Sequence, residues 1–261
     1  MMSVSRQSIG DAPLWFAAGD ALHTEGAFLF QHAETSPLHA HPYGHLVHAA
    51  SGVLSLLTEQ GAWIAPANRF AWVPAGFPHR HRAHGRTDMR IVALSEAAAA
   101  ALPSTPAVLV ATALGRAAAL AVTSGQPRPE EALERLRLVI VDEATMAPEQ
   151  PLHLPEPHDP RLRAAAAHVQ ENLSSPLSLE QVAEWIGVGA RTLSRLFQQE
   201  TGMGYRQWRL QLRVHRALVL LSGGATVATA AADCGWATTS RFIQQFTPLV
   251  GMTPGRYRQA P

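Results

Sequence analysis

The chain of 261 residues contains no lysine, a single cysteine and no apolar run of the length that a membrane span requires. A lone cysteine excludes an internal disulfide, which agrees with a reducing compartment. Cys234 lies among small and aromatic neighbours in "AADCGW", and a free cysteine in such a setting is usually buried. The opening stretch "MMSVSRQSIGDAPLW" lacks the continuous apolar core of a signal peptide. We therefore expect a cytoplasmic protein that does not contact a membrane.

Arginine supplies all 21 basic side chains, and its distribution along the chain is uneven. Residues 161–258 hold eleven arginines and five acidic residues, a balance of +6. The remainder holds ten arginines and fifteen acidic residues, a balance of −5, so that the net charge of the whole chain is only +1. A basic terminal third beside an acidic remainder predicts a nucleic-acid partner for that third.

Short strand-like segments fill residues 26–95. They read "AFLF", "HLVHAA", "VLSLLT", "AWIAP", "RFAWVP" and "MRIVAL", and turn material such as "SG", "EQG" and "PAGFP" separates them. Short strands that recur about every ten residues indicate an antiparallel barrel or sandwich. We expect residues 1–110 to form an all-β domain of this kind.

The hydrophobic pattern changes to a helical period after residue 110. One face of the segment "PEEALERLRLVIVDEATM" carries the apolar residues Leu133, Leu136, Val139 and Ile140. We expect the helix at 129–146 to form a homodimer interface, with packing on the barrel as the alternative. The next fourteen residues, "APEQPLHLPEPHDP" at 147–160, contain five prolines and predict a stiff, extended linker. Residues 111–159 therefore form a helical dimerisation segment and linker in this interpretation.

Residues 160–261 have a helical pattern throughout and contain an internal repeat. Residues of the first copy recur 48 or 49 positions later: Ala183 as Ala231, Gly187 as Gly235, Phe197 as Phe246, Gly202 as Gly251 and Met203 as Met252. Such a repeat indicates that one supersecondary unit is used twice.

Each copy predicts two short helices joined by a glycine-containing turn. In the first copy Ser178 can cap the first helix, and Gln181 can complete a capping box. Two short helices with a polar outer face on the second describe a helix-turn-helix, and Arg and Gln can form bidentate bonds to base edges. The outward residues expected to contact DNA are Arg191, Thr192, Ser194, Arg195 and Gln198 in the first copy, and Thr238, Thr239, Arg241, Gln244 and Gln245 in the second.

The terminal hundred residues resemble the DNA-binding domain of AraC/XylS-type transcriptional regulators. The resemblance rests on "ARTLSRLFQQETG", "WRLQLRVHRALVLLSGG", "AADCGW", "SRFIQQF" and "GMTPGRYR", which follow one another at matching spacings. It implies a seven-helix domain with two helix-turn-helix units. The long amphipathic helix between the copies is expected to hold the two readers in successive major-groove segments, about 34 Å apart.

Two positions depart from the pattern of that family. Many relatives carry basic residues just after the helix phenylalanines, where this chain has Gln198–Gln199 and Thr247–Pro248. Fewer cations predict fewer phosphate contacts and a shallower salt dependence. Pro248 also lacks a backbone donor, so we expect it to end the second reader helix early. The second reader is therefore expected to act mainly as an anchor, and base reading by it stays an open alternative.

Seven of the thirteen histidines lie between residues 39 and 84. On a strand His39 and His41 share one face, and His45 has the same parity. A later tight turn presents His79 at the start of another strand. Neutral imidazoles are good ligands for Zn, Ni, Co, Cu and Fe(II). We expect His39, His41, His45 and His79 to bind such a transition metal, with His81 as the substitute ligand.

Residues 26–95 also resemble cupins. The first cupin motif is matched by His39, His41, His45 and Gly52, with His45 in the place of an acidic residue. The second is matched by Pro74, Gly76 and His79, whereas Asn68 replaces its first glycine and Ala83 its last asparagine. The resemblance implies a cupin-like barrel that can hold a metal, although regulatory cupins often lose ligands. An organic effector without metal and a structural role for the histidines are the alternatives.

These features predict a transcriptional regulator rather than an enzyme. The barrel would sense a small effector or a transition metal, the terminal domain would bind double-stranded promoter DNA, and RNA polymerase would be a partner of an activator. A metal-dependent cupin enzyme is less favoured, because no acid-base partner accompanies the histidines. A metal carrier is also less favoured, because such a protein would not need two helix-turn-helix units. The linker at 147–160 and the stretch "DAPLWFAAGD" at 11–20 are the segments expected to move.

Overall fold

The computed structural model of the chain describes residues 25–146 and 152–259. These residues divide into two compact units, one of residues 25–58 and 63–146 and the other of residues 59–62 and 152–259. The stretch "DAPLWFAAGD" and the first five residues of the predicted linker lie outside the described residues.

The first unit is built on an antiparallel sheet. Its strands are β1 (Gly26–Phe30), β2 (Gly44–Thr58), β3 (Gly61–Pro66), β4 (Arg69–Val73), β5 (Arg80–Leu94) and β6 (Ala107–Val110). Strands β1, β5, β2 and β3 are neighbours in that order, while β4 pairs with both β2 and β6. The prediction of an N-terminal all-β domain is confirmed.

The two longest strands, β2 and β5, pair along most of their length. "HLVHAA" and "VLSLLT" belong to one strand rather than two, so the sequence prediction of a turn at "SG" is wrong. Gly52 has φ +81, and the register with β5 shifts on both sides of Ser51. A glycine with positive φ can insert an extra residue into a ladder as a β-bulge, which bends a strand without ending it.

Three helices cover one side of this sheet: α1 (Glu96–Ala99), α2 (Ala113–Val122) and α3 (Glu130–Thr145). The predicted helix at 129–146 is thus confirmed. The apolar face of α3 packs against the rest of the β domain, however, because Ile140 and Val141 are buried in the same core as Phe70 and Trp72. Leu136 and Val139 pack against that core as well. Most of the predicted stripe therefore packs within the β domain, which was the alternative prediction, and dimerisation itself stays a prediction.

The second unit is helical. After a short strand, β7 (His153–Pro155), its helices are α4 (Pro160–Glu171), α5 (Leu179–Trp185), α6 (Ala190–Thr201), α7 (Tyr205–Ser222), α8 (Val227–Asp233), α9 (Thr239–Val250) and α10 (Pro254–Gln259). Residues 152–259 therefore contain the seven helices that the family resemblance implies. None of the described helices is both long and apolar enough to cross a membrane.

The internal repeat corresponds to two helix-turn-helix units, α5–α6 and α8–α9. Ser178 caps α5, and its capping box with Gln181 is complete as predicted: each side chain bonds the other residue's backbone N–H, at 3.3 and 2.8 Å. Both second helices end at a left-handed glycine, Gly202 or Gly251. The prediction that Pro248 ends α9 early is wrong, since α9 continues to Val250. A proline in the last turn removes only one helical hydrogen bond, and the helix continues for just two further residues.

Helix α7 connects the two units of the repeat. Its 18 residues extend about 27 Å along the helix axis. Arg209 donates hydrogen bonds to the carbonyl oxygens of Leu173 and Ser175, between α4 and α5, and Arg213 donates one to Gly235, in the turn between α8 and α9. The connecting helix is thus bonded to the segment that precedes the first helix-turn-helix unit and to the turn within the second.

Candidate functional site

Backbone pairing brings the two histidine-bearing segments together. The amide of His39 donates to the carbonyl of His79 at 3.0 Å, and the amide of His79 returns a bond to His39 at 2.9 Å. Two residues on, the backbone of His81 pairs with Ser36: Ser36 N–H donates to the His81 carbonyl at 2.9 Å, and Ser36 Oγ accepts from the His81 amide at 2.9 Å. The register between residues 36–39 and 79–81 is therefore fixed by four hydrogen bonds.

Five imidazoles meet at this junction. His45 comes from β2, and His81 comes from β5. The ring centroids of His39 and His79 are 4.3 Å apart, those of His45 and His79 are 5.1 Å apart, and those of His79 and His81 are 5.0 Å apart. His41 lies 4.7 Å from His45 and 5.2 Å from His79. His79 is therefore the central ring of the cluster.

The nitrogen atoms of these rings form two groups of three that share His79. One group is His39, His41 and His79, and the other is His45, His79 and His81. Within each group the candidate ligand atoms lie within 4.8 Å of one another. The four histidines predicted as ligands thus do not form a single group, because His45 joins His81 instead. His81 has the strand parity of His79, and that signal was sufficient to place it on the same face.

Hydrogen bonds to backbone carbonyls set the tautomers of two rings. Nδ1 of His79 lies 2.8 Å from the carbonyl oxygen of Phe77, and Nδ1 of His39 lies 2.8 Å from that of Pro37. A carbonyl oxygen can only accept, so each Nδ1 carries the proton. The lone pair of each ring then lies on Nε2, which is the arrangement that orients histidines as metal ligands.

Burial keeps all five rings neutral. Together with a smaller effect of the neighbouring imidazoles, it lowers the pKa of His41 and of His79 to about 4. The pKa values of His45 and His81 fall well below their usual range, first through burial and then through repulsion from the other rings of the cluster. The pKa of His39 is also lowered by burial. Only the neutral form of imidazole offers a lone pair to a metal at pH 7.

Several ring nitrogens are buried without a hydrogen-bond partner in the described part of the chain. They are both nitrogens of His45, both nitrogens of His81 and Nε2 of His79. Leaving such a group unsatisfied costs about 1–3 kcal/mol each, which a bound ligand would relieve. Neither group of three includes a carboxylate. An all-imidazole set fits Zn, Ni, Co, Cu or Fe(II), and it does not fit Mg, Ca or Mn, which prefer oxygen ligands.

The first predicted DNA reader, α6, presents a polar face. Arg191, Ser194, Arg195 and Gln198 are exposed, and Thr192 is half-buried. The opposite face is buried through Leu193, Leu196 and Phe197, which join the core of this half of the domain. The amide of Gln198 donates to the carbonyl of Gly202 at 3.1 Å, so this side chain also satisfies the end of its own helix.

The second predicted reader, α9, is arranged differently. Thr239, Arg241 and Gln244 are exposed. Thr238 caps the helix, because its hydroxyl accepts from the amide of Arg241 at 3.2 Å. Gln245 is half-buried, and its oxygen accepts from Nε1 of Trp236 at 2.8 Å. These side chains, without Thr239, line an open depression together with Ser240, which the sequence interpretation had not selected.

Known proteins match the chain over both units. A family model described as AraC-like ligand binding domain matches residues 26–184, and one described as helix-turn-helix domain matches residues 163–260. The HTH-type transcriptional regulator NimR of Escherichia coli (strain K12) is 33% identical over 228 residues, which are 85% of this chain and 82% of that protein.

Two further similarities concern a smaller part of the chain. The HTH-type transcriptional regulator RipA of Corynebacterium glutamicum is 37% identical over 107 residues, 40% of this chain and 32% of that protein. A solved AraC-type regulator from Chromobacterium violaceum is 30% identical, with a TM-score of 0.37, and covers 38% of this chain and 89% of its own.

A β domain that binds a ligand and a helical domain with two helix-turn-helix units define a DNA-binding transcriptional regulator. The chain belongs to the AraC family of such regulators. The family also confirms the expectation that the protein is not an enzyme, since its relatives are transcriptional regulators.

Proposed function

We propose that this AraC-family regulator responds to a transition-metal ion bound by the histidines of its β domain, and that the ion changes its affinity for promoter DNA. The single observation that carries the proposal is the set of five buried ring nitrogens on His45, His79 and His81 that have no hydrogen-bond partner among the described residues. Each neutral imidazole has one lone pair, so a metal ion can satisfy three of these nitrogens at once, one on each ring.

The donor set supports a borderline-soft metal. The proposed ligands are drawn from the predicted His39, His41, His45 and His79 and from His81, which forms a group with His45 and His79. Each of these rings is kept neutral by burial. Zn, Ni, Co, Cu and Fe(II) are the candidates, because imidazole suits all of them. The stacking of Tyr43 on His41, with ring centroids 5.1 Å apart, gives the cluster one further polar neighbour.

The helical domain is proposed to read DNA through its two polar helix faces. Arg191, Ser194 and Arg195 of α6 are exposed and have the chemistry to bond base edges. On α9, Thr238 and Gln245 already bond within the protein, which supports the view that the second reader acts mainly as an anchor. The remaining predicted contacts, Thr192, Gln198, Thr239, Arg241 and Gln244, would complete the interface.

The partners follow from this proposal. We expect the regulator to bind its promoter as a homodimer, through a surface other than the stripe of α3 that is buried within the β domain. RNA polymerase is the further partner if the protein activates transcription. A ligand changes the occupancy of an operator only if it binds the DNA-competent and incompetent states with different affinities.

The test compares metal-loaded and metal-free protein on DNA. Protein purified without an affinity tag or a chelator is analysed for metal content, stripped, and reloaded with each of the five candidate metals. Its affinity for the DNA upstream of its own gene is then measured against random duplex at fixed salt. We expect at least one metal to change the affinity of the wild-type protein for the upstream DNA. His45→Gln should abolish this effect of the metal, and His48→Gln should retain it. His48 is the matched control because it is a buried histidine of the same strand outside both groups of three.

Two results would contradict the proposal. If no metal is retained or bound and DNA affinity is unaffected, the histidines serve an organic effector or the fold itself. If metal is bound stoichiometrically and DNA affinity stays the same, the β domain stores or carries metal rather than sensing it.

A further inference from the structure

We infer that the five histidines form two alternative sets for one metal ion: a capture set of His39, His41 and His79, and a holding set of His45, His79 and His81. This inference rests on the proposed metal function and goes beyond it. It makes His81, which lies outside the cupin motif, a principal ligand, and it moves His39 from the holding ligands to the route of uptake.

The shared ring makes the two sets exclusive. Nδ1 of His79 is bonded to the carbonyl of Phe77 at 2.8 Å and must carry the proton. His79 therefore has one lone pair, on Nε2, and can coordinate one ion at a time. Both groups of three need that lone pair. Three imidazoles can therefore coordinate an ion in the capture set or in the holding set, but not in both sets at once.

Burial distinguishes the capture set from the holding set. His45, His79 and His81 are each 0% exposed, whereas His41 is 9% exposed and His39 is half-buried. An ion from solvent can reach His39 and His41 first. In the holding set water is excluded, so that interactions between the ion and its ligands are stronger than at the exposed side.

The number of unsatisfied buried nitrogens also favours the holding set over the capture set. All four ring nitrogens of His45 and His81 lack a hydrogen-bond partner, in addition to Nε2 of His79. In the capture set, Nδ1 of His39 is already bonded to Pro37, and Nδ1 of His41 lies 3.4 Å from the hydroxyl of Tyr43. Each neutral ring has one lone pair, so coordination at the holding set satisfies one such nitrogen on each of its three rings, whereas His41 of the capture set has no nitrogen of this kind.

The backbone holds the shared ring in place for either set. His79 exchanges two backbone hydrogen bonds with His39, and His81 is bonded twice to Ser36. Nitrogen ligands of a tetrahedral ion, each about 2.0–2.1 Å from it, lie about 3.4 Å apart. The candidate ligand atoms within each set are already within 4.8 Å. Rotation of side chains can close that difference without a change in strand register.

The experiment uses Co(II), whose visible absorption reports its coordination. Metal-free full-length protein is titrated with CoCl₂ to obtain the stoichiometry, uptake is followed by stopped flow, and release is followed after addition of excess EDTA. Three variants are compared with the wild type: His81→Gln in the holding set, His39→Gln in the capture set, and His48→Gln as the buried control. Thermal unfolding of each metal-free variant checks that it is folded.

We expect one Co(II) per chain in the wild type. His81→Gln should release Co(II) at least ~10-fold faster, since even the loss of a group that merely orients a ligand weakens metal binding by that factor. His39→Gln should slow the uptake and the release of Co(II) by the same factor and leave the affinity unchanged, because a residue that acts only on the route changes the barrier and not the bound state. His48→Gln should match the wild type in both rates. If a variant does not fold, a Zn(II) titration of wild-type protein with ¹⁵N-labelled histidines gives the same answer, because the ring nitrogens of His45, His79 and His81 should shift at one equivalent.

The outcomes separate this inference from the proposed function. Two ions per chain would overturn the exclusive use of His79 and leave the metal proposal standing. Wild-type release in His81→Gln, or accelerated release in His39→Gln, would overturn the assignment of the holding set, again with metal binding intact. Absence of any Co(II) or Zn(II) binding would overturn this inference, and absence of binding by all five candidate metals would overturn both.

Discussion

Replacement of Gly235 by alanine is expected to destabilise the second helix-turn-helix far more than the matched replacement of Gly187 destabilises the first. The two glycines occupy equivalent turns, with φ +78 at Gly235 and +71 at Gly187. A Cβ at Gly235 would lie 2.6 Å from Nη2 of Arg213 and 2.7 Å from the carbonyl oxygen of Leu173. A Cβ at Gly187 would meet no atom within 4 Å. The repeat thus supplies two sites with the same backbone conformation and different surroundings.

The expected magnitudes follow from this difference. A positive φ costs a residue with a Cβ about 1–2 kcal/mol at either site. At Gly235 the added carbon must also displace the guanidinium of Arg213, which donates a hydrogen bond to the Gly235 carbonyl and lies 5.1 Å from the centre of the Trp236 ring. Loss of a hydrogen bond from a charged donor adds about 1.5–3 kcal/mol. Gly235→Ala should therefore cost about 2.5–5 kcal/mol, and Gly187→Ala about 1–2 kcal/mol.

Hydrogen exchange measured by mass spectrometry across a series of urea concentrations is the appropriate assay, because it reports α8 and α9 separately from the β domain. Gly235→Ala should lower the urea midpoint of peptides from α8 and α9, and Gly187→Ala should lower that of α5 and α6 by a smaller amount. Equal losses in the two variants would refute the reasoning, since they would mean that the close contacts around Gly235 relax without cost.

Two further predictions concern the helical domain. Arg195→Ala should weaken binding to the specific DNA site by about 1–3 kcal/mol, because an exposed arginine on α6 can bond a base edge. Gln199→Ala, at a neighbouring exposed position outside the predicted reading set, serves as the control. Equal losses of affinity in electrophoretic titrations of the two variants would contradict a base contact by Arg195. Burial raises the pKa of the Cys234 thiol to about 12. Since the thiolate is the reactive form, a disulfide reagent at pH 8 should not label native protein and should label it fully in urea, whereas rapid labelling of native protein would contradict the buried position.

Local signals predicted individual helices closely. The capping box of Ser178 and Gln181 and the helix at 129–146 appear where the sequence indicates them. Helix starts and ends depend on the side chains within one turn, so such features can be derived from neighbouring residues alone. The internal repeat added information beyond neighbouring residues, because two similar motifs are expected to form the same helix-turn-helix structure.

Errors arose where a local signal had two structural meanings. The "SG" at Ser51 and Gly52 can begin a turn or form a bulge, and the choice depends on whether β5 continues to pair on both sides, which it does. Pro248 can end a helix or occupy its last turn at the loss of one hydrogen bond. The apolar stripe of α3 can cover its own domain or a second copy, and only the position of Phe70 and Trp72 in the folded chain decides between them.

The histidine cluster shows which part of a site depends on register rather than on spacing. Strand parity places His79 and His81 on one face, yet it does not say which of them meets His45. That choice depends on the offset between two segments, and here four hydrogen bonds among Ser36, His39, His79 and His81 fix it. The two residues from His79 to His81 advance the strand by about 6.6 Å. This places the His81 ring on the fully buried side of the cluster, beside His45, whereas His39 is half-buried. The cupin-like motif therefore identifies four of the five rings, and the strand register adds His81, which completes the buried part of the cluster.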